Sequence, residues 1–382
     1  MRSYERFLCS LSGAAPTSVS DHLQVPVRIL VLSDTHLGID LPARPPRGDR
    51  PAAAGHGRRG DDFFAAFEHA VAPAFAGETD LVLHLGDLFY RSRISAALAA
   101  RVFARLGDLA EAGVDVFWVP GNHERSHVPR ALLLSHPRIH VFDRPRTFVV
   151  EREGVRIGLA GFPFSPEARA EFPARLAATG HAEVAADVRL LLLHQAVEGA
   201  TVGPQNFVFR DAAEVVRCSD LRAHAAAFAA VLCGHVHRAQ VLGYDLTGRR
   251  LPMPVLYSGS TERTSSAERH EAKSTLWLEI DRGAGGAPPR LAWRLRELPA
   301  RPMVELVLDP GDGGAELAER LRAALAAVAA RSVVRIRLTA APGEAALPVL
   351  RVASLRSLTP AGVDVAVAWG PWVRRPGPGG GQ

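Results

Sequence analysis

VRILVLSDTHLG, residues 27–38, begins as an aliphatic run of strand length, Val27–Ser33, and ends on the polar triplet Asp34-Thr35-His36. Val and Ile dominate so short a stretch that it reads as a buried strand, delivering a carboxylate and an imidazole just past its carboxyl end. The same construction recurs down the chain. Leu81–Leu85 runs into Gly86-Asp87, Val114–Val119 into Gly121-Asn122-His123-Glu124, Arg189–Leu193 into His194, and Ala229–Cys233 into Gly234-His235-Val236-His237. Ligands of open α/β folds sit at the carboxyl ends of strands, so five such strands are expected to gather these side chains on one edge. A single Gly-Asp or Asp-x-His is more often a turn or a helix cap. The full set reads differently: carboxylate, amide and imidazole donors suit Mn²⁺, Fe or Zn²⁺. Two such ions about 3.5–4 Å apart can clamp the attacking and leaving oxygens of a phosphoester.

Histidines outside the five blocks lack this support. His84 alternates with Leu83 and Leu85 and reads as a buried, hydrogen-bonded ring rather than a ligand. Of those in loops and on polar helix faces, only His56, in the Gly/Arg-rich loop after the first block, is a candidate substrate contact.

With 382 residues and 47% hydrophobic content, the chain is long enough for a large core and for two or three units. No apolar run approaches the ~20 residues that span a bilayer, and no membrane partner is expected. Residues 1–26 carry only the short apolar patch Phe7-Leu8-Cys9 and read as a loose tail, not a secretory leader. Cys9, Cys218 and Cys233 are odd in number, widely spaced and without a Cys-x-x-Cys pair, which favours a reducing cytoplasm. The net charge of +5 suits a polyanion, but nearly every cation is Arg, with Lys273 the single lysine, so composition bias explains part of it. Arg44, Arg47, Arg50, Arg58 and Arg59 cluster in the Pro/Gly-rich loop after the first block, either to hold a phosphate backbone or as a solvated excursion.

The spacing of apolar residues predicts helices at Asp61–Ala74 and Ser95–Ala112, the second with Ser at its start, which gives the first half a βαβ rhythm. Short strands follow at Ile139–Phe142, Thr147–Glu151 and Val155–Ala160, then at Gln240–Asp245, Val255–Tyr257, Ser274–Ile280 and Leu291–Leu298. A two-sheet β-sandwich flanked by helices fits this order. Past the punctuation Leu298-Pro299-Ala300-Arg301-Pro302, strands Met303–Leu308 and Ser332–Leu338 enclose a helix at Ala315–Ala330. A helix-or-strand pair follows at Leu350–Leu358 and Val363–Trp369. The expected organisation is therefore a tail (1–26), a domain carrying the five blocks (27–299), a small α+β appendage (300–370) and a disordered Pro/Gly-rich end (371–382).

The five blocks resemble those of the calcineurin-like metallophosphoesterases, D-x-H, G-D, G-N-H-[DE], H and G-H-x-H, with no position missing. The resemblance implies that Asp34, His36 and His237 hold one divalent ion and Asn122, His194 and His235 the other. Asp87 bridges the two ions, and His123 is left free to act as general acid while a hydroxide between the ions attacks phosphorus. Glu124 would orient His123 or cap a helix. Mn²⁺ is the expected cofactor, with Fe or Zn²⁺ as alternatives.

Within that superfamily the chain resembles the DNA repair exonucleases, the nuclease subunit of the SbcC–SbcD type. The resemblance rests on Ser33-Asp34-Thr35-His36-Leu37-Gly38, on Gly86-Asp87-Leu88-Phe89 followed by Arg91-Ser92-Arg93-Ile94-Ser95, and on Tyr257-Ser258-Gly259-Ser260-Thr261-Glu262-Arg263. It implies hydrolysis of DNA phosphodiesters, a capping domain after Pro302 and, as a further partner, a second copy of the chain. Arg263 is then a candidate phosphate clamp, or else pairs with Glu262 or Glu268. Tyr90 stands where archaeal and eukaryotic members carry a histidine, and is a candidate substrate contact. No helical tail follows Trp372, so stable pairing with an SbcC-type ATPase is not expected. A phosphodiesterase or phosphatase for small substrates, and a scaffold without turnover, are the alternatives.

Overall fold

The computed structural model describes residues 25–39, 59–124, 136–283, 287–311 and 313–369. The basic positions Arg44, Arg47, Arg50 and Arg58, together with His56, residues 1–24 and the terminal segment 370–382, lie outside the described residues. Two compact units emerge: a larger one of residues up to Ile39, Phe63–Glu262 and Ala272–Pro299, and a smaller one of residues 59–62, Arg263–Glu271 and the chain from Ala300.

The larger unit runs β1 (Val27–Leu32), α1 (Arg59–Phe75), β2 (Leu81–His84), α2 (Ala96–Glu111), β3 (Asp115–Trp118), β4 (Ile139–Val141), β5 (Arg146–Arg152), β6 (Val155–Gly161), α3 (Ala168–Ala177) and β7 (Val188–His194). Four two-residue strands follow, β8 (Ala196–Val197), β9 (Thr201–Val202), β10 (Phe207–Val208) and β11 (Val215–Val216). The unit ends with α4 (Cys218–Ala223), β12 (Ala230–Gly234), β13 (Gln240–Tyr244), β14 (Arg250–Tyr257), β15 (Lys273–Asp281) and β16 (Arg290–Leu298). Two six-stranded sheets result, ordered β16-β15-β1-β2-β3-β4 and β13-β14-β12-β7-β6-β5.

Each sheet is buried on both faces, which is why its central strands read as continuous apolar runs. In β1, Val27, Ile29 and Val31 enter the core shared with Ile157, Leu190, Leu192 and Leu232 of the other sheet. Leu30 and Leu32, pointing the other way, pack with Phe63, Phe67, Val102 and Leu106 of α1 and α2. The outer face of the second sheet is covered by α3 and α4 through Phe172, Leu176 and Leu221. The expected sandwich flanked by helices is therefore the fold. Ser95 caps α2 as its position predicted, its Oγ accepting from the Leu98 N–H at 3.2 Å. Among the described residues no helix is long and apolar enough to cross a membrane.

Strands β1, β2 and β3 lie parallel, with Leu30 opposite Val82 and Val82 opposite Val116. Strands β7 and β12 are parallel in the second sheet, with Gly234 opposite His194. All five motif-bearing strands therefore release their polar residues from carboxyl ends.

The smaller unit contains β17 (Met303–Leu308), α5 (Gly314–Ala326), β18 (Val333–Leu338), α6 (Val352–Leu358) and β19 (Asp364–Ala368), with the strands parallel in that order. Leu317, Leu321, Leu325 and Leu355 of the helices cover Val334, Ile336 and Leu338. The helix expected at Ala315–Ala330 stops earlier because the chain must reverse into β18, which it does with Arg331 at φ 62°. Arg301, its side chain 8% exposed, knots the unit together. It donates to Asp62 and Asp364 at 2.7 Å each and to the carbonyls of Arg331 and Gly362 at 2.6 and 3.2 Å. Removing one partner of a buried ionic group strands the others, so Arg301→Ala should cost ~3 kcal/mol or more, read by denaturant unfolding. An unchanged unfolding midpoint would show that Arg301 is dispensable.

Candidate metal centre

The loops that follow β1 and β2 continue side by side past the sheet. Asp34 N–H donates to the Gly86 carbonyl at 2.9 Å, His36 to Asp87 at 3.0 Å and Leu37 to Leu88 at 2.9 Å. Four candidate ligands, Asp34, His36, Asp87 and His235, sit at positive φ, 51°, 45°, 51° and 80°. Such backbone is costly for non-glycine residues and clusters at functional sites, where the surroundings enforce it. The glycines of the motifs have a related explanation. A Cβ on Gly86 would come within 2.1 Å of His194 Nδ1, and one on Gly121 within 2.2 Å of Asp87 Oδ1.

Two groups of donors converge. His36 Nε2 and His237 Nε2 are 2.9 Å apart, and Asp34 Oδ1 lies 3.9 and 3.6 Å from them. In the second group Asn122 Oδ1 is 3.1 Å from His194 Nε2 and 3.0 Å from His235 Nδ1. Asp87 belongs to both, with Oδ2 3.9 Å from His36 Nε2 and Oδ1 3.4 Å from His194 Nε2. Donors about 2.1 Å from a common ion stand roughly 3 Å apart when at right angles, so these separations fit two ions sharing one carboxylate. A second observation agrees: Asp34 Oδ1 is buried without a hydrogen-bond partner, while its Oδ2 accepts the His235 N–H at 3.0 Å. Neighbours orient the rings. His194 Nδ1 donates to the Leu85 carbonyl at 2.6 Å, turning Nε2 inward.

The charges are strongly coupled. Burial and the nearby His194 hold the His235 imidazole down at about 3, and burial likewise keeps His36 well below its ordinary value. Burial opposes charge on His194, but Asp87 and Asp34 prevail and lift it to about 9. Burial would also raise Asp87, yet His194, His36 and His123 hold it below the ordinary carboxylate range. A proton on His194 must leave before that ring can coordinate, so cation binding here releases protons.

His123 faces the centre from the side. Its ring Nδ1 contacts the Tyr90 carbonyl and must carry the hydrogen there, because a carbonyl only accepts. Nε2 is left 3.7 Å from Asp87 Oδ2. Glu124 makes no contact with the His123 ring. It is 2% exposed, and its carboxylate accepts the N–H groups of Gly121 at 2.6 Å, Phe89 at 2.9 Å and Asp87 at 3.1 Å. Burial and Asp87 push its carboxyl up to about 8.

The family profile described as calcineurin-like phosphoesterase matches residues 27–239, more than half of the chain. The chain belongs to this family. Calcineurin-like phosphoesterases hold two divalent ions, and the residues just described fit that requirement. Among curated proteins the chain is similar to the DNA double-strand break repair protein Mre11 of Aeropyrum pernix. The two are 27% identical over 302 residues, 75% of this chain and 64% of that protein. It is also similar to Mre11 of Methanosarcina mazei, 26% identical over 252 residues, 64% of this chain and 34% of that protein. The chain thus spans less than two thirds of the length of these relatives. A crystallised dimetal phosphatase from Danio rerio aligns at a TM-score of 0.41 and 14% identity, over 69% of this chain and 98% of that one.

Two expectations for this phosphoesterase need correction. Arg263 does not stand free as a phosphate clamp. Its guanidinium donates to the backbone carbonyls of Arg301 at 2.8 Å, Glu271 at 2.9 Å and Glu268 at 3.2 Å, which spends its fork on closing a loop. Arg59 is not a loop cation but the buried first residue of α1, bonded to Asp62 at 3.1 Å and to the Arg263 carbonyl at 2.6 Å. His84 is a buried ring, held by Thr35 Oγ1 at 3.0 Å, and burial and His194 lower it to about 3. Phe164 went unnoticed in the sequence because nothing in the loop after β6 marks it. Its ring lies 5.4 Å from that of His235 and 6.1 Å from that of His194, while the half-buried Tyr90 ring lies 6.0 Å from His36.

Proposed function

We propose that the protein is a metal-dependent phosphodiesterase acting on DNA. The observation that carries the hydrolytic part is the carboxylate of Asp87, whose two oxygens face two separate donor groups. When bound, a pair of divalent cations, Mn²⁺ first and Fe or Zn²⁺ next, supplies Lewis-acid activation of water and screens the phosphate charge. Asp34, His36, His237 and Asp87 hold one ion, and Asp87, Asn122, His194 and His235 the other. The Asn122 amide keeps an NH₂ for a phosphate oxygen. His123, its Nδ1–H anchored on the Tyr90 carbonyl, presents Nε2 to the leaving oxygen and, in the doubly protonated form, passes it the Nε2 proton and is left as the neutral ring. Tyr90 lines the same side and is proposed as a substrate contact.

For DNA as the substrate, support comes from the similarity to Mre11 proteins across most of the chain and from the exonuclease-like blocks around Asp34, Asp87 and Tyr257. Residues 300–370 are proposed as a capping, substrate-binding unit, a second copy of the chain as a partner, and the cytoplasm as the location. The experiment is hydrolysis with Mn²⁺ of oligonucleotide DNA, a cyclic dinucleotide and a chromogenic phosphodiester. DNA is expected to be preferred, with binding that weakens steeply as salt rises, because each Arg–phosphate contact releases counterions. Preference for a small diester, or salt-insensitive DNA binding, would favour the small-substrate reading. Activity on none of them would leave a scaffold.

A further inference from the structure

Lys273, the single lysine in a chain whose other basic side chains are arginines, opens β15 and is 1% exposed. Burying an ammonium is strongly unfavourable unless it is well bonded, so its partners matter. Nζ donates to Ser260 Oγ at 2.8 Å and to the His237 carbonyl at 3.3 Å. The same carbonyl accepts the Ser260 N–H at 3.0 Å, so Ser260 and the metal ligand His237 are joined twice. Between them there is no slack: a Cβ on Gly259 would stand 2.9 Å from the His237 carbonyl oxygen and 2.7 Å from the Ala239 nitrogen.

The loop also reaches the other side of the centre. Ser33, next to Asp34, forms a bridge with Ser260, and its hydroxyl lies 3.0 Å from Ser258 Oγ and 3.2 Å from the Gly259 carbonyl. The segment Ser258–Ser260 therefore ties the backbones behind Asp34 and His237, whose Oδ1 and Nε2 are 3.6 Å apart. Lys273 is the charged pin in that tie. A compact ammonium can direct N–H groups at a hydroxyl and a carbonyl within this space, whereas a planar guanidinium fork is longer and cannot take the same place.

We propose that Lys273 is a positioning residue that fixes the separation of Asp34 and His237 and thereby the affinity of the ion they hold. The proposal rests on the dimetal reading above. Metal-free wild type, Lys273→Met, Lys273→Arg and Ser260→Ala are titrated with Mn²⁺ against a chromogenic chelator, and each metal-free protein is melted. Wild type is expected to bind two ions. In both Lys273 variants one binding step should weaken by ~10–100-fold, as loss of a group that orients a ligand does, while the other holds. Ser260→Ala should weaken the same step by less. If wild type itself binds no ion, the dimetal reading fails, and the role of Lys273 with it. If wild type binds two ions and the variants show both steps unchanged, or both weakened alike, the positioning role is overturned and the metal centre stands. Should the Lys273 variants melt too early to titrate, Ser260→Ala decides, and an unshifted step overturns the proposal.

Discussion

Asp87→Asn is expected to empty both metal positions together and to lower turnover on the order of 10³-fold or more, the several kcal/mol that paired cations contribute. The expectation follows from the position of one side chain. Oδ1 lies beside His194 of one donor group and Oδ2 beside His36 of the other, so a neutral amide weakens both sites and leaves two cations poorly screened. Geometry adds a second penalty. Asp87 Oδ1 accepts the His123 N–H at 3.0 Å, and an NH₂ placed there would set donor against donor. If the amide turns the other way, the NH₂ faces the His36 group and cannot ligate. Metal analysis after desalting, alongside hydrolysis of a chromogenic diester, checks this. A variant that keeps two ions and near-normal turnover would remove Asp87 from the bridging position.

The carboxyl-edge cluster was legible because its ingredients are local. A strand buried on both faces has to be apolar along its inner length, as β1 is past Arg28, and a candidate ligand released from its end has to follow within a few residues, as Asp34 and His194 do. Elements that depend on distant partners were not legible. Helix α3 went unread because Pro173 and its charged residues mask the spacing of Ala168, Phe172 and Leu176, which only the second sheet makes meaningful. Arg263 shows the opposite case: an Arg after a metal motif looks available until the backbone carbonyls of Glu268, Glu271 and the more distant Arg301 are seen to take its guanidinium. Lys273 carried a signal, its uniqueness, but not a role. That required the fold to bring β15 beneath His237.

His123→Ala should leave both ions bound and lower turnover by ~10²–10⁴-fold, the range that removal of a general acid produces. The distinction between acid and ligand rests on how the ring is held. Its Nδ1 hydrogen is committed to the Tyr90 carbonyl, which leaves Nε2 as the working nitrogen, and that nitrogen sits 3.7 Å from the Asp87 carboxylate. With a second ring, that of His36, 5.0 Å away, a position inside the coordination shell is the competing assignment for the same atom. The two assignments separate in a paired measurement of bound metal and rate. A general acid also predicts a dependence on the leaving group: a diester that releases an acidic phenol needs little proton donation and should lose less in His123→Ala than DNA, whose leaving sugar oxygen is strongly basic. Loss of an ion from the variant, or equal loss on both substrates, would make His123 a ligand and send the search for the proton donor elsewhere.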